Sequence, residues 1–238
     1  MDINSDMGEI SRLLDDGTYT RLMDYVTSIN IACGGHAGNE AMMGEMIRLA
    51  NEKGVKVGAH PSYPDRENFG RIDMDMDFDE LTDSIRDQIQ LLNNIAQDQK
   101  VSISHVKPHG AVYNRAAKDK TVAQALGEAV TQVDPSLKVM GLAGSIMLDV
   151  FDQMGLEIMA EAFADRTYEA DGSLRNRKYD DALITKPEKA AKQTEMMVSG
   201  KIIAVDGSEV AINAQTLCIH SDTPNAVAIA KAVNKVIS

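Results

Sequence analysis

Short apolar runs alternate with longer amphipathic stretches along almost the whole chain. The short runs occupy residues 1–6, 28–32, 55–59, 102–106, 138–142, 157–163 and 216–219. Most are rich in Val and Ile and too short for helices, so they are typical of strands buried on both faces. Between them, segments such as 79–98 repeat Leu81, Ile85 and Ile89 at helical spacing. This alternation predicts a parallel α/β fold with right-handed crossovers.

The length of the chain sets the number of such units. About seven strand–helix units fit 238 residues, one fewer than the eight of the common (β/α) barrel. We therefore expect a single closed or nearly closed barrel domain over residues 1–238. An open doubly wound sheet is the alternative, because strand order cannot be read from one sequence. Residues 163–182 predict a long polar loop, and residues 201–213 predict a hairpin turning at Asp206 and Gly207.

Charge and hydropathy argue against several classes of protein. The net charge of −12 disfavours nucleic acid and anionic membranes as partners, since both need a basic face. No apolar run approaches the roughly 20 residues of a membrane-spanning helix. Residues 1–9 lack the basic and apolar parts of a signal peptide. Cys33 and Cys218 are then expected to be reduced thiols of a cytoplasmic protein, packed as small apolar residues.

All five histidines lie at or just beyond the end of a predicted strand. They are His36, His60, His105, His109 and His220. In parallel α/β folds, loops from the carboxyl ends of many strands converge on the active site. One such histidine alone would more often be a hydrogen-bonded core or loop residue. Five of them, from four strand ends, predict a functional site at the barrel mouth.

The first strand carries polar side chains on one face. Alternation puts Asp2, Asn4 and Asp6 on the same side, with Glu9 just beyond the strand. Polar groups on a buried strand are costly unless they bind something, so they predict a binding site, a hydrogen-bonded plug inside the barrel, or an N-terminal cap. The Gly-rich segment 34–39 predicts either an anion site at a helix N-terminus or a tight turn.

Cationic residues accompany the histidines. Lys107 falls on the same strand face as His105 and is either an anion clamp, a base if its pKa drops, or a partner in an ordinary salt bridge. Asp165 and Arg166 begin the loop at 163–182, which is either a lid for an acidic substrate or a solvated loop. The cations that we expect at the mouth are Arg71, Lys107, Arg166, Arg175 and Arg177.

Familiar catalytic motifs are missing. The chain has no P-loop, dinucleotide fingerprint, nucleophile elbow, C-x-x-C pair or H-E-x-x-H helix. Asp6, His36 and His60 could bind a divalent metal with mixed nitrogen and oxygen ligands, although their spacing is not a recognised ligand spacing.

Several longer segments resemble the LamB/YcsF family. The matching segments, in family order, are DINSDMGE (2–9), NIACGGHAGN (30–39), GAHPSYPD (58–65), FGR (69–71), HVKPHGAVYN (105–114), FADRTYEADGSLRNR (163–177) and CIHSDTP (218–224). They run through essentially the whole chain. The sequence departs from the family pattern at Ser5, Gly35, Asn39, Glu40 and Ser221. Ser5 removes a thiol, Asn39 removes a carboxylate, and Gly35 replaces a bulky aromatic residue and could widen the pocket.

The resemblance implies a fold, a reaction and partners. The fold is a seven-stranded (β/α) barrel similar to the glycoside hydrolase/deacetylase superfamily. Members act as the A subunit of ATP-dependent 5-oxoprolinase, which opens the lactam of 5-oxoproline to L-glutamate with ATP as co-substrate. They work with partner subunits B and C. The alternatives are a metal-dependent amidase or carbohydrate deacetylase, and a non-catalytic ligand-binding subunit. A homo-oligomer is left open.

The residues in the matching segments then receive expected roles. The catalytic group comprises Asp6, His60, Asp65, His105, Lys107 and His109, with His60 or His109 as acid and base, oriented by Asp65 and Asp6. The substrate-binding group comprises Glu9, Arg71, Tyr113, Asn114, Asp165, Arg166 and His220. Lys107 and Arg166 are expected to hold the substrate carboxylate or a phosphorylated intermediate.

Overall fold

Nine strands and nine helices make up the computed structural model, which describes residues 1–238. The strands are β1 (Asp2–Met7), β2 (Ser28–Ala32), β3 (Lys56–His60), β4 (Ile103–Val106), β5 (Lys138–Leu142), β6 (Ile158–Phe163), β7 (Lys201–Ile203), β8 (Glu209–Ala211) and β9 (Thr216–Cys218). The helices are α1 (Ser11–Asp15), α2 (Thr18–Leu22), α3 (Glu40–Lys53), α4 (Phe78–Asp98), α5 (Gly110–Ala116), α6 (Lys120–Val133), α7 (Ile146–Gln153), α8 (Pro187–Val198) and α9 (Ala226–Ile237).

Seven of the strands close into a parallel barrel. Strands β1 to β6 pair in chain order, and β9 pairs with both β6 and β1. The barrel prediction is confirmed, and the open-sheet alternative is wrong because β1 and β6 both have partners on each side. The two remaining strands, β7 and β8, form the antiparallel hairpin predicted at 201–213.

The helices surround this barrel and bury their apolar faces against it. The predicted helix at 79–98 is α4, which begins at a capping box formed by Asp77 and Glu80. The sequence pattern does not predict the short helices α1, α2 and α5, since one or two turns give too little periodicity to recognise. Sixty buried residues form the apolar core. No helix combines the length and the hydropathy that a bilayer crossing would need.

The inside of the barrel is polar. Asp2 accepts hydrogen bonds from Ser28 at 2.9 Å and from Thr216 at 2.6 Å. Further along the barrel, the Asn4 amide donates to Glu161 at 2.9 Å, and the Asn30 amide donates to Asn4 at 2.8 Å. The plug interpretation therefore holds for the lower part of the first strand, and only its carboxyl end reaches the mouth.

Candidate active site

A cavity of about 690 Å³ opens at the carboxyl ends of the barrel strands. Its walls come from strand ends on one side and from residues 171–177 of the long loop on the other. The residues predicted for the site that line this cavity are Asp6, Glu9, His60, Arg71, Lys107, His109, Tyr113, Asn114, Arg166 and His220. The cations Arg175 and Arg177 also line it. The predicted mouth location is thus where these side chains meet.

Lys107 is buried at the floor of the cavity among polar side chains. Its Nζ lies 2.9 Å from Asp6 and 2.9 Å from Glu161, and it donates to the Cys218 sulfur at 3.0 Å. Burial alone would lower the pKa of Lys107, but Asp6, Cys218 and Glu161 raise it well above its usual range. The ammonium therefore stays charged and pairs with two buried carboxylates, as the salt-bridge interpretation predicts, and its raised pKa gives no support to a general base. The anion-clamp interpretation stays a prediction.

Asp6 shares this environment. Burial alone would raise the pKa of its carboxyl, but the Lys107 ammonium, 2.9 Å away, holds it well below its usual range. Asp6 also accepts a hydrogen bond from the Asn30 amide at 2.8 Å. The carboxylate is therefore ionised, and most of its lone pairs are already used by the protein.

Two histidines face each other above Lys107. His60 Nδ1 lies 2.7 Å from the Lys107 carbonyl oxygen, and His109 Nε2 lies 2.9 Å from the Phe69 carbonyl oxygen. A carbonyl oxygen only accepts, so each of these nitrogens carries the hydrogen. The opposite nitrogens, His60 Nε2 and His109 Nδ1, are 3.0 Å apart, and both residues line the cavity. Both nitrogens bear lone pairs when the rings are neutral.

Burial keeps these imidazoles neutral. It lowers the pKa of His109 to about 4, that of His36 to about 3, and that of His60 well below its usual range. Burial also raises the pKa of Glu9 to about 7. The cluster thus has one carboxyl that changes charge near neutral pH and imidazoles that do not.

The backbone around Glu9 is held in place by one tyrosine. The Tyr19 hydroxyl oxygen accepts hydrogen bonds from the Glu9 amide at 3.1 Å and from the Ile10 amide at 2.9 Å. Gly8, just before, has φ of 76°, a left-handed conformation that suits glycine. This turn after β1 directs the Glu9 carboxylate to His36 Nε2 at 3.0 Å and to His109 Nδ1 at 3.3 Å.

Asp165 supports the opposite wall without lining it. It accepts hydrogen bonds from the His220 amide at 2.9 Å and from the Thr223 hydroxyl at 2.7 Å, and it contacts His220 Nδ1 at 3.0 Å. The His220 ring stacks on Phe163 with centroids 5.5 Å apart. Asp165 therefore positions His220, and the substrate-contact role predicted for it is not supported by this geometry.

The guanidinium of Arg166 is buried without a carboxylate partner. It donates to the Arg175 carbonyl at 2.6 Å and to the Ala182 carbonyl at 3.3 Å. Burial and nearby Arg177 lower the pKa of Arg166 to about 10, so the group is still a cation at neutral pH. Arg71 differs, because it pairs with Asp222 at 3.0 Å. In the long loop, Arg175 pairs with Glu169 at 2.9 Å and with Asp181 at 2.6 Å, and Arg177 lies 3.6 Å from Asp222. Of the arginines that line the cavity, Arg166 is therefore the one without a carboxylate partner, and the lid interpretation stays a prediction.

Two predicted catalytic residues lie away from the cavity. Asp65 accepts hydrogen bonds from the Asn68 amide and side chain at 3.1 and 3.0 Å, and contacts neither histidine. The predicted orienting role of Asp65 is therefore wrong; carbonyl oxygens orient His60 and His109. His105 is sealed inside the barrel, bonded to Asn30 at 2.7 Å and to Ser104 at 2.8 Å. It does not line the cavity, so this geometry gives its predicted catalytic role no support.

Sequence reasoning misses Glu161 and Asn30, and it treats Cys218 as a packing residue only. All three are buried and lie inside the barrel, where they contact the polar groups beneath the cavity. A single polar residue within an apolar strand run is the available signal for Glu161 and Asn30. Cys33 packs in the core as predicted.

Two groups of side chains at the mouth could hold a metal ion. One comprises Glu9, His36, His60 and His109, and the other comprises Asp6, Cys218 and His220. The predicted set of Asp6, His36 and His60 is split between them. Chemically, the cavity combines neutral imidazoles, one carboxyl with a pKa near neutral pH, and fixed cations. Such a site can transfer protons and stabilise a small anion.

The closed ring of seven parallel strands, surrounded by helices and open at its carboxyl end, defines the chain as a seven-stranded (β/α) barrel. A solved beta-1,4-mannanase superposes with a TM-score of 0.56 at 11% identity, over 99% of this chain and 97% of that one, which shows the shared fold. The family model described as the LamB/YcsF family matches residues 1–238, and the chain belongs to that family.

Relatives extend over nearly the full chain. The A subunit of 5-oxoprolinase from Chloroflexus aggregans is 47% identical over 234 residues, which cover 98% of this chain and 93% of the relative. The crystal structure of the lactam utilization protein from Thermus thermophilus is 38% identical, with a TM-score of 0.91, and covers 100% of this chain and 95% of that one.

Proposed function

We propose that this chain is an enzyme subunit that opens a cyclic amide, the lactam of 5-oxoproline, as the A subunit of an ATP-dependent 5-oxoprolinase. The overall reaction is 5-oxoproline + ATP + 2 H2O → L-glutamate + ADP + phosphate. Relatives that carry this name and match over most of their length support the proposal. Its main structural support is the cavity, which is lined both by the paired imidazoles of His60 and His109 and by the cations Lys107 and Arg166.

The reaction needs two proton transfers and two stabilising contacts to negative charge from the site. Water must lose a proton as its oxygen bonds to the lactam carbon, and the ring nitrogen must gain one as its bond to that carbon breaks. The carbonyl oxygen and the substrate carboxylate each need a positive partner. We assign proton transfer to His60 and His109, which line the cavity and each have one ring nitrogen without a hydrogen. We assign anion binding to Lys107 and Arg166.

ATP explains the need for a second water molecule. A phosphoryl group transferred to the lactam oxygen would activate the carbon, and ring opening would leave an acyl phosphate that a second water hydrolyses. The chain has no P-loop, so we propose that partner subunits B and C contribute to nucleotide binding. The word "subunit" in the relatives' names supports partners in general. Arg166 and Arg177 would then receive the phosphorylated intermediate.

The contacts at the floor and walls suggest further roles. Tyr113, with its hydroxyl 2.8 Å from Glu161, and Asn114 at the rim would shape the substrate end of the cavity. We also propose that residues 1–238 act as one domain, because one apolar core connects the barrel to its helices. Two free, buried cysteines support a cytoplasmic location.

The test is ATP-dependent release of glutamate. The chain is assayed alone and then with candidate partner subunits, as wild type and as His60→Ala, Lys107→Ala and His109→Ala. We expect activity only with partners, and a loss of at least about 100-fold in each variant. Lys138→Ala, which removes an exposed charge at the amino end of β5, is the matched control and should stay active. Full activity in all three folded variants would overturn the assignment.

A metal-dependent amidase or carbohydrate deacetylase is the second candidate. The cluster of Glu9 with three histidines is the observation that favours it. Hydrolysis of a lactam or acetamide by the chain alone, without ATP and abolished by a chelator, would select this alternative. Tight binding of 5-oxoproline without turnover under any condition would instead indicate a ligand-binding subunit.

A further inference from the structure

Two imidazole nitrogens that carry no hydrogen lie close together in the cavity wall. Hydrogen bonds to the carbonyl oxygens of Lys107 and Phe69 fix the tautomers, which leaves His60 Nε2 and His109 Nδ1 without hydrogens and 3.0 Å apart. Two acceptors at this distance repel each other unless a positive charge lies between or beside them. The Glu9 carboxylate adds a third donor, 3.3 Å from His109 and 3.8 Å from His60.

These three separations match the geometry of one small ion. Ligands about 2.0–2.1 Å from a tetrahedral centre lie about 3.3–3.4 Å apart, close to the 3.0, 3.3 and 3.8 Å found here. We propose that Glu9, His60 and His109 bind one divalent transition-metal ion, of which zinc is the best match, with an open coordination position facing the cavity.

The surroundings of the ligands are those of a metal site. Histidines that bind metals usually donate their other N–H to a carbonyl or carboxylate, as His60 and His109 both do. Two nitrogens and one carboxylate favour zinc over magnesium or calcium, which prefer all-oxygen sites. All three ligands line the cavity, so the fourth position is open to it. A bound ion would act there as a Lewis acid toward a carbonyl oxygen. With the ion bound, His60 and His109 serve as its ligands, and this role replaces the proton-transfer role assigned to the same ring nitrogens above.

His36 belongs to the support of this site. Its ring stacks on that of His109, with centroids 3.7 Å apart and planes 2° apart. Two parallel rings cannot both direct in-plane lone pairs at one ion. His36 instead contacts the Glu9 carboxylate through Nε2 at 3.0 Å and does not line the cavity. It is a positioning residue for Glu9.

The other group, Asp6 with Cys218 and His220, is a poor metal site. The Lys107 ammonium lies 2.9 Å from Asp6 and 3.0 Å from the Cys218 sulfur, so a cation already occupies these two donors. Asp6 Oδ2 lies 3.5 Å from His60 Nε2 and so borders the proposed site, but its carboxylate is already neutralised by Lys107. The site therefore centres on Glu9.

Zinc binding by the chelator-treated full chain tests the proposal directly. Calorimetry with ZnCl2 and metal analysis after dialysis should give one ion per chain, and Co²⁺ should give the intense visible absorption of a four-coordinate site. Zinc should also raise the melting temperature. His109→Ala should weaken zinc binding by more than about 100-fold, and His36→Ala by about 10- to 100-fold. Circular dichroism checks that each variant is folded.

The matched control is His220→Ala, which removes a histidine from the same cavity and should leave zinc binding unchanged. Absence of zinc binding by the wild type would overturn the proposal. A proton shared between His60 Nε2 and His109 Nδ1 would then account for the 3.0 Å between these two nitrogens. Unchanged affinity in His109→Ala, or loss only in His220→Ala, would also overturn it. The experiment needs neither substrate nor partner subunits, so its failure and a failure of the lactam-opening proposal are distinguishable.

Discussion

The Tyr113 hydroxyl donates a hydrogen bond to Glu161 Oε2 at 2.8 Å and so joins α5, which borders the cavity, to the inside of β6. Both side chains are buried. Burial raises the pKa of Tyr113 well above its usual range, so the phenol remains a donor at any physiological pH.

Removing this donor should cost stability. Tyr113→Phe leaves a buried carboxylate with one fewer partner, and we expect the free energy of unfolding to fall by about 2 kcal/mol, the usual contribution of a hydrogen bond to a charged group. Urea denaturation measures the change. Tyr179→Phe, at an exposed tyrosine, is the control and should change little. Equal stability of Tyr113→Phe and wild type would show that the bond contributes nothing.

The ion pairs of Lys107 should contribute more to the free energy of unfolding than the Tyr113 hydrogen bond does. Lys107→Met keeps the length of the side chain but leaves Asp6 and Glu161 as uncompensated buried carboxylates. Breaking a buried ion pair on one side costs about 3–5 kcal/mol, so the variant should unfold at much lower urea concentration. Lys138→Met breaks only an exposed pair with Glu157 and should cost less than about 1 kcal/mol. Similar losses in the two variants would contradict the importance of burial.

Acid should destabilise the fold through its neutral histidines. Burial lowers the pKa of His105 to about 4, below its ordinary value of 6.5, so the unfolded chain binds more protons between these values. Stability is then lost as pH falls through this window, by about 3 kcal/mol for this residue at most. The lowered pKa values of His36 and His109 reduce stability in the same direction. Glu9 acts in the opposite direction: its pKa is raised from 4.5 to about 7, so the folded chain binds the extra proton and the free energy of unfolding rises as pH falls between these values.

The measurement is unfolding free energy at pH 7 and pH 5, with chelator present. We expect a net loss on acidification, and a smaller loss in His105→Gln, which cannot take up the proton. The comparison uses the difference between the two pH values, so a constant cost of the substitution cancels. An unchanged pH dependence in this variant would refute the role of His105.

Gly58 makes room for His105. A Cβ at this position would overlap the His105 imidazole, which is held by Asn30 and Ser104. Gly58→Ala should therefore displace the ring and cost about 3 kcal/mol, at the upper end of overpacking effects. Gly44→Ala, in α3, would meet mainly the Gln99 side chain at 3.3 Å and should be close to neutral. Thermal melts of both variants measure the difference, and equal melting temperatures would contradict the packing argument.

Much of this architecture is readable from the sequence. Buried strands appear as short Val- and Ile-rich runs, and residues at their carboxyl ends must meet at the barrel mouth, which is why the pattern identifies His60, Lys107 and His109. The same rule does not say how deep a side chain lies. His105 is two residues before Lys107 on the same face, yet this difference places it inside the barrel and Lys107 at the cavity floor.

Other errors come from loops. Asp65 follows His60 closely in sequence, but the turn at 65–70 directs its carboxylate to Asn68. Such a turn depends on local backbone bonds that spacing does not reveal. Glu161 is missed because its strand is identified by hydropathy alone, although a carboxylate in such a run needs a partner inside the barrel.

The polar interior also bears on the size of the barrel. Asn30 on β2 bonds to His105 on β4, and Asn4 on β1 bonds to Glu161 on β6, so these contacts pass over β3 and β9 and connect strands that are not neighbours. The backbone hydrogen bonds between neighbouring strands would by themselves permit a barrel with more strands and a larger diameter. Side-chain bonds across the lumen fix its diameter, since an eighth strand would pull the partners apart and leave buried polar groups unsatisfied.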